Sequence, residues 1–194
     1  MSGKPFDRYG AIFQEDVDVL EACLAELVKA PVVRVCEIGS HDGGTAKGIR
    51  RYVEEHGAKV EYWGIDPDTC RLPWVWDGAH LINGDSAEVF HLVPDALDMV
   101  WVDGCHCMNH VILDTVHFAP KVRNFGFICF HDVNPVGSGG EHQYHGPQIP
   151  EFGLAVNMAL AAIQFPWAPW ELFMEKIPPE VHNCGTRAYI KGRK

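Results

Sequence analysis

No stretch of the chain approaches the roughly 20 consecutive apolar residues that a membrane span requires, although 47% of its residues are hydrophobic. The opening segment, MSGKPFDRYG, lacks the apolar core of a signal peptide. These two absences give the expectation of a soluble, cytoplasmic protein with no membrane partner. Positive charge is also scarce: 16 Lys and Arg stand against 26 Asp and Glu, for a formal net charge of -10. Nucleic-acid phosphates are neutralised by clustered Lys and Arg, so nucleic acid is not an expected partner. The basic end, IKGRK, is too short to reverse that balance. No CxxC pair occurs among the seven cysteines, which stand at 23, 36, 70, 105, 107, 129 and 184. An odd, scattered set points to reduced thiols, not to a disulfide framework. Cys36 and Cys129 lie inside apolar runs and read as small core residues.

What is present is a series of short apolar runs: Val32–Glu37, Val60–Asp66, His80–Asn83, Leu97–Asp103 and Phe125–His131. Most are continuous and do not alternate, the pattern of strands buried on both faces of a parallel sheet. Helical spacing of Phe13, Val17, Leu20, Leu24, Leu27 and Val28 predicts a helix over 13–30, closed by Pro31. Further helices are expected over 44–56 and 107–119, and around Phe152, Val156, Leu160 and Ile163. Strand–helix alternation predicts an open α/β sheet. Two closing strands are expected near Trp170–Lys176 and Thr186–Lys191. No repeat or internal boundary interrupts residues 1–194, which read as one domain with a helical segment at 1–30. Residues 133–150, rich in Gly and Pro, form a long loop read as a lid. Its His142 and His145 fit a polar loop better than a metal site.

Ligands of open α/β sheets bind beyond the carboxyl ends of the strands. Glu37, Asp66, Asp85, Asp103 and Asp132 all fall there. Five acids along one rim repel each other unless they serve a ligand. The loop after the first strand, EIGSHDGGT, is glycine-rich but fits no phosphate motif. Thr45 stands where a P-loop needs Lys, and His41 stands where a dinucleotide fingerprint needs its middle glycine. That disfavours an NAD-linked oxidoreductase. Glu37 at the lip would repel a triphosphate and attract a sulfonium or an ammonium.

On these residues the chain resembles the class I S-adenosylmethionine-dependent methyltransferases. EIGSHDGGT is similar to the family's first motif, ExGxxxGGT. VEYWGIDPD, LINGDSAEVF, LDMVWVDGCH and NFGFICFHDV resemble the second to fifth strands in order, and the match runs from about residue 30 to 191. Asn124 and Phe125 replace the usual proline-glycine or double glycine before the fifth strand. The resemblance implies a Rossmann-like, seven-stranded, mostly parallel sheet with an antiparallel C-terminal hairpin and helices on both faces. It also implies S-adenosyl-L-methionine as cofactor. Glu37, Gly39, Ser40 and Gly43 would flank its methionyl part, with Asp103 also at the cofactor. Asp66 would take the ribose hydroxyls, and Asp85 with Ser86 would face the adenine.

VDGCH followed by FHDV is most similar to a subgroup of sugar O-methyltransferases and cephalosporin-hydroxylase-like proteins. The expected acceptor is therefore a hydroxyl of a small molecule. Relatives hold a divalent metal at the ends of strands four and five, and Asp103, His131 and Asp132 would be the ligands here. His131 stands where an acid is usual, which disfavours Mg²⁺ and favours a transition metal. The other reading is metal-free, with His131 or His106 as base and Asp103 orienting the ring. Cys105 and Cys107 flank His106, but a two-residue spacing beyond a strand does not require convergence with it. A binding module that keeps the fold without catalysis remains the reading from another class. Only one helix precedes the first strand, so the acceptor site would be open or completed by a second copy of the chain.

Overall fold

The computed structural model describes residues 14–68, 76–134, 152–177 and 185–192. The elements run α1 (Gln14–Leu27), β1 (Val32–Ile38), α2 (Gly44–Glu55), β2 (Lys59–Asp66), β3 (Ala79–Asn83), α3 (Ser86–Val89), β4 (Leu97–Val102), α4 (Met108–Phe118), β5 (Val122–His131), α5 (Phe152–Ala162), β6 (Trp170–Lys176) and β7 (Thr186–Lys191). Seven strands form one sheet in the order β3-β2-β1-β4-β5-β7-β6. β1 to β5 pair in parallel, and β7 lies antiparallel to both β5 and β6. The expected Rossmann-like sheet, with its antiparallel C-terminal pair, is the fold observed. Among the described residues no helix is long and apolar enough to cross a membrane.

The alternation of side chains along each strand sorts the core into two layers. Val33 and Val35 of β1, Met99 and Trp101 of β4, and Phe127 and Cys129 of β5 pack with α1 and α2. Cys36 and Ile38, Val100 and Val102, and Ile128 and Phe130 pack on the other side with α4 and α5. The apolar stripe of α1 and the Ile49–Val53 face of α2 close the first layer, and Val111, Phe118, Val156 and Leu160 close the second. Helices on both faces bury β4 throughout, and its one charged residue, Asp98, is paired with Arg123 and the Arg34 amide. Continuing the same parity by one step assigns Glu37, Asp103 and His131 to the side of α1.

Two features differ from expectation. β5 begins at Val122, three residues early, because Arg123 and Asn124 form an irregular entry: Leu97 pairs Val122, but Met99 already pairs Phe127. Phe125 holds φ 60 within that irregularity. This is the position where the resembled family carries glycine, the residue that accepts a left-handed backbone without Cβ strain. The short α3 was not expected, since four residues carry no periodicity. It is started by Asp85, whose Oδ1 accepts a hydrogen bond from the Ala87 amide at 2.9 Å. The lid assigned to 133–150 falls almost entirely outside the described residues.

The strand order reverses between β1 and β4, and there the two strand ends come very close. A Cβ on Gly39 (φ +86) would meet the Asp103 carbonyl oxygen at 2.2 Å. The Asp103 amide donates to the Ile38 carbonyl at 2.9 Å, and the Gly39 amide donates to Ile65 O at 2.8 Å. Gly39 is thus fixed both by its backbone angle and by its neighbours. Gly39→Ala should cost at least about 2 kcal/mol, read as a lowered urea midpoint at unchanged slope. A variant as stable as the parent would mean that the β1 and β4 ends do not need this approach.

Candidate active site

The glycine loop leaves β1 at Gly39 and enters α2 through Gly43, which holds φ 73 at the N-cap. It is laid across the end of β2. Ser40 N donates to Ile65 O at 3.2 Å, and His41 N donates to the Asp66 carboxylate at 2.9 Å. The other Asp66 oxygen accepts from the Asp68 amide at 2.8 Å. Asp66 therefore stands at the lip of the cleft with its orientation set by two backbone amides. Glu37 lies below the loop, 1% exposed. Burial pushes its carboxyl up to about 8, against the opposing effect of hydrogen bonds from Tyr62 and Thr45. The Tyr62 hydroxyl donates to Glu37 Oε2. Burial thus favours the protonated form of this acid near neutrality.

At the ends of β4 and β5, Asp103, His106, His131 and Asp132 converge, with one ligand atom of each within 4.8 Å of all the others. His131 Nδ1 is 2.9 Å from Asp103 Oδ1 and 3.7 Å from Asp132 Oδ2. His106 Nε2 lies 3.1 Å from Asp132 Oδ2 and 3.5 Å from Asp103 Oδ1. Asp132 reaches the cluster because its backbone turns at φ 55 as β5 ends. An acid tolerates that left-handed turn better than most residues. All four side chains named for catalysis or metal binding are thus brought together.

One partner was missed. Asp16 of α1, fully buried, places Oδ2 3.3 Å from His131 Nε2. Its Oδ1 accepts from Thr186 Oγ1 of β7 at 2.6 Å, and Thr186 is the register partner of His131. Asp16 had a signal: it lies four residues before Leu20, on the apolar stripe of α1, where an acid has no solvent. Burial alone would lower the His131 pKa, but Asp103, Asp132 and Asp16 outweigh it and raise it well above its ordinary value. The same imidazole holds Asp103 and Asp132 below the usual carboxylate range, against the opposing effect of burial. Both ring nitrogens of His131 are buried, and neither has hydrogen-bond alignment with the acids beside it. Two imidazoles and two carboxylates around unaligned ring nitrogens fit a divalent ion of mixed N/O preference better than Mg²⁺.

Asp85 and Ser86 lie apart from this cluster. Ser86 Oγ donates to Asp114 Oδ1 of α4 at 2.6 Å, and burial raises the Asp114 carboxyl to about 7 against that hydrogen bond. The Cys105 and Cys107 side chains turn away from His106 and meet His110 instead. His142 and His145 lie outside the described residues.

Solved structures with the same fold were found at low identity. TomG, an O-methyltransferase from Streptomyces achromogenes involved in tomaymycin synthesis and solved with SAM, matches at TM-score 0.65 and 14% identity, over 94% of this chain and 82% of its own. The Podospora anserina methyltransferase PaMTH1, solved with SAH, matches at TM-score 0.63 and 13% identity, over 98% and 86%. MycE, a methyltransferase of the mycinamycin pathway solved with Mg, SAH and mycinamycin VI, matches at 0.62 and 18%, over 96% of this chain but 51% of its own. No curated protein sequence matches significantly. The family model described as a methyltransferase domain matches residues 36–133, from the end of β1 through the end of β5. That span is just over half of the chain and holds the glycine loop and the acid–imidazole cluster, and the chain belongs to the methyltransferase-domain family.

Proposed function

We propose that this protein is an S-adenosylmethionine-dependent O-methyltransferase acting on a hydroxyl of a small molecule, such as a sugar or a natural product. The observation that carries the reading is the pairing of two sites at one strand switch. A glycine loop over a buried acid lies next to two carboxylates and two imidazoles. SAM or SAH in the TomG, PaMTH1 and MycE structures supports the cofactor half. The O-methyltransferase description of TomG supports the acceptor half.

Methyl transfer is an in-line displacement. The acceptor oxygen bonds the methyl carbon, the carbon–sulfur bond breaks, and sulfur keeps the electron pair. The acceptor proton must leave, and a nearby base removes it. In the metal-free reading the acids around His131 favour its protonated form, so it positions the cluster and is not the first base. His106, between Asp132 and Asp103 with its side chain 13% exposed, is the residue placed to receive the proton. In the metal-bound reading His131 would be neutral, and a divalent ion held by Asp103, His131 and Asp132 would add Lewis acidity that makes the hydroxyl easier to deprotonate. The unaligned nitrogens of His131 favour that addition, and the Mg in MycE is in keeping with it. Glu37 and the backbone of Gly39, Ser40 and Gly43 hold the methionyl part, Asp66 the ribose, and Asp85 with Ser86 the adenine edge.

Isothermal titration of the reduced protein with S-adenosylmethionine should give one site per chain, strengthened or not by Mn²⁺ or Zn²⁺. No binding under any condition would move the non-catalytic binding module ahead. Against a panel of hydroxylated acceptors, His131→Ala should lose methyl transfer while cofactor affinity stays within about threefold; His106→Ala should lower turnover about 10²- to 10⁴-fold. Turnover unchanged in either variant would remove that residue from the mechanism.

Glu37 gives a second test. The folded chain keeps a proton on Glu37 up to about pH 8, whereas the group's ordinary value is 4.5. Without ligand, this group's contribution to stability therefore falls as pH rises from 4.5 towards 8. A sulfonium in the cleft favours the carboxylate, so cofactor binding at pH 7 should release a proton. Titration in buffers of different ionisation enthalpy should show that release, and Glu37→Gln should abolish it. Equal release in the variant would place the proton elsewhere.

A further inference from the structure

A second cluster lies where the β4 loop runs into α4; of the residues given a part in methyl transfer it shares only Asp85. Cys105 Sγ and Cys107 Sγ are 3.0 Å apart, and Cys107 Sγ is 3.0 Å from His110 Nδ1. All three ligand atoms fall within 4.8 Å of one another. Cys107 is the N-cap residue of α4 and His110 lies three positions on, so the first helical turn brings them to one face. Cys105 reaches the same point from the preceding loop. Behind the ring, His110 Nε2 sits 3.1 Å from Asp85 Oδ2. The other Asp85 oxygen is fixed by the Ala87 amide.

We propose that Cys105, Cys107 and His110 form a binding site for a thiophilic divalent ion, Zn²⁺, with a water molecule as the fourth ligand. Two sulfurs and one imidazole nitrogen are a donor set that zinc takes readily, and three protein ligands leave the open position typical of non-structural zinc sites. The sulfurs of a tetrahedral zinc site stand about 3.7 Å apart, so the two thiols need to open by less than an ångström. Asp85 makes the arrangement specific. A carboxylate on the far ring nitrogen fixes the tautomer that points Nδ1 at the metal, and it increases the basicity of that nitrogen. His110 and Asp85 are 16% and 38% exposed and Cys105 and Cys107 are half-buried, so the cluster lies near the surface. The Asp103–His106–His131–Asp132 cluster contains no sulfur, so a thiophilic ion separates from it by donor type. The proposal does not depend on what the glycine loop binds.

Co²⁺ added to the full, reduced chain reports directly on this site, because a thiolate–cobalt charge-transfer band in the near ultraviolet requires sulfur ligands. The parent should develop that band at one equivalent, and Zn²⁺ should displace it. Asp132→Asn, which alters only the oxygen–nitrogen cluster, should retain it. Cys107→Ser should lose the band. Asp85→Asn, which keeps the helix cap and removes the charge behind His110, should weaken Zn²⁺ binding about 10- to 100-fold in competition with a chelating dye. The parent spectrum needs no folded variant to interpret. Absence of the band in the parent, or its persistence in a Cys105→Ser/Cys107→Ser double variant, would overturn the assignment. Unchanged Zn²⁺ affinity in Asp85→Asn would remove the carboxylate from it.

Discussion

An imidazole that is 4% exposed can carry a charge in a protein only if acids come to it, and three elements supply acids around His131. α1 supplies Asp16, the end of β4 supplies Asp103, and the turn after β5 supplies Asp132. Taking one partner from a buried charged group typically costs about 3–5 kcal/mol, because the charge left behind has no water. The cluster therefore constrains the fold as much as the fold positions the cluster. α1 must bring a polar residue into its own apolar stripe. β7 must present Thr186 opposite His131, so that the second Asp16 oxygen also has a donor.

The cleft beside it works by the opposite logic. Burial favours the protonated form of Glu37, while Tyr62 and Thr45 hold its orientation. One site is thus full of compensated charge, and its neighbour waits for charge to arrive. They adjoin where Gly39 passes close to the Asp103 carbonyl.

Most of the fold could be read from the chain because buried parallel strands write themselves as unbroken apolar runs, and every expected strand is present within a few residues. Strand-end acids could be read as well, because a charge that closes an apolar run stands out, although Asp98 shows that a paired acid also fits inside a buried strand. What escaped were contacts between residues far apart in sequence. Asp16 resembles an ordinary acid in a first helical turn, and only its place on the apolar stripe hints otherwise. The meeting of Cys105 and Cys107 with His110 depends on where α4 begins, a boundary that sequence patterns locate to within a few residues at best. The early start of β5 escaped because Arg123 and Asn124 are polar, and only the pairing of Val122 with Leu97 makes them part of a strand.

The link from Thr186 to Asp16 spans 170 positions. Long-range closures of this kind come late in folding, because the entropy of joining distant segments is lost before any contact rewards it. During synthesis the chain emerges from its N-terminus, so α1 and β1 to β5 are available well before β7. Until the last strand inserts next to β5, the second Asp16 oxygen lacks its hydroxyl donor. The acid–imidazole centre is consequently completed only after β7 has been made.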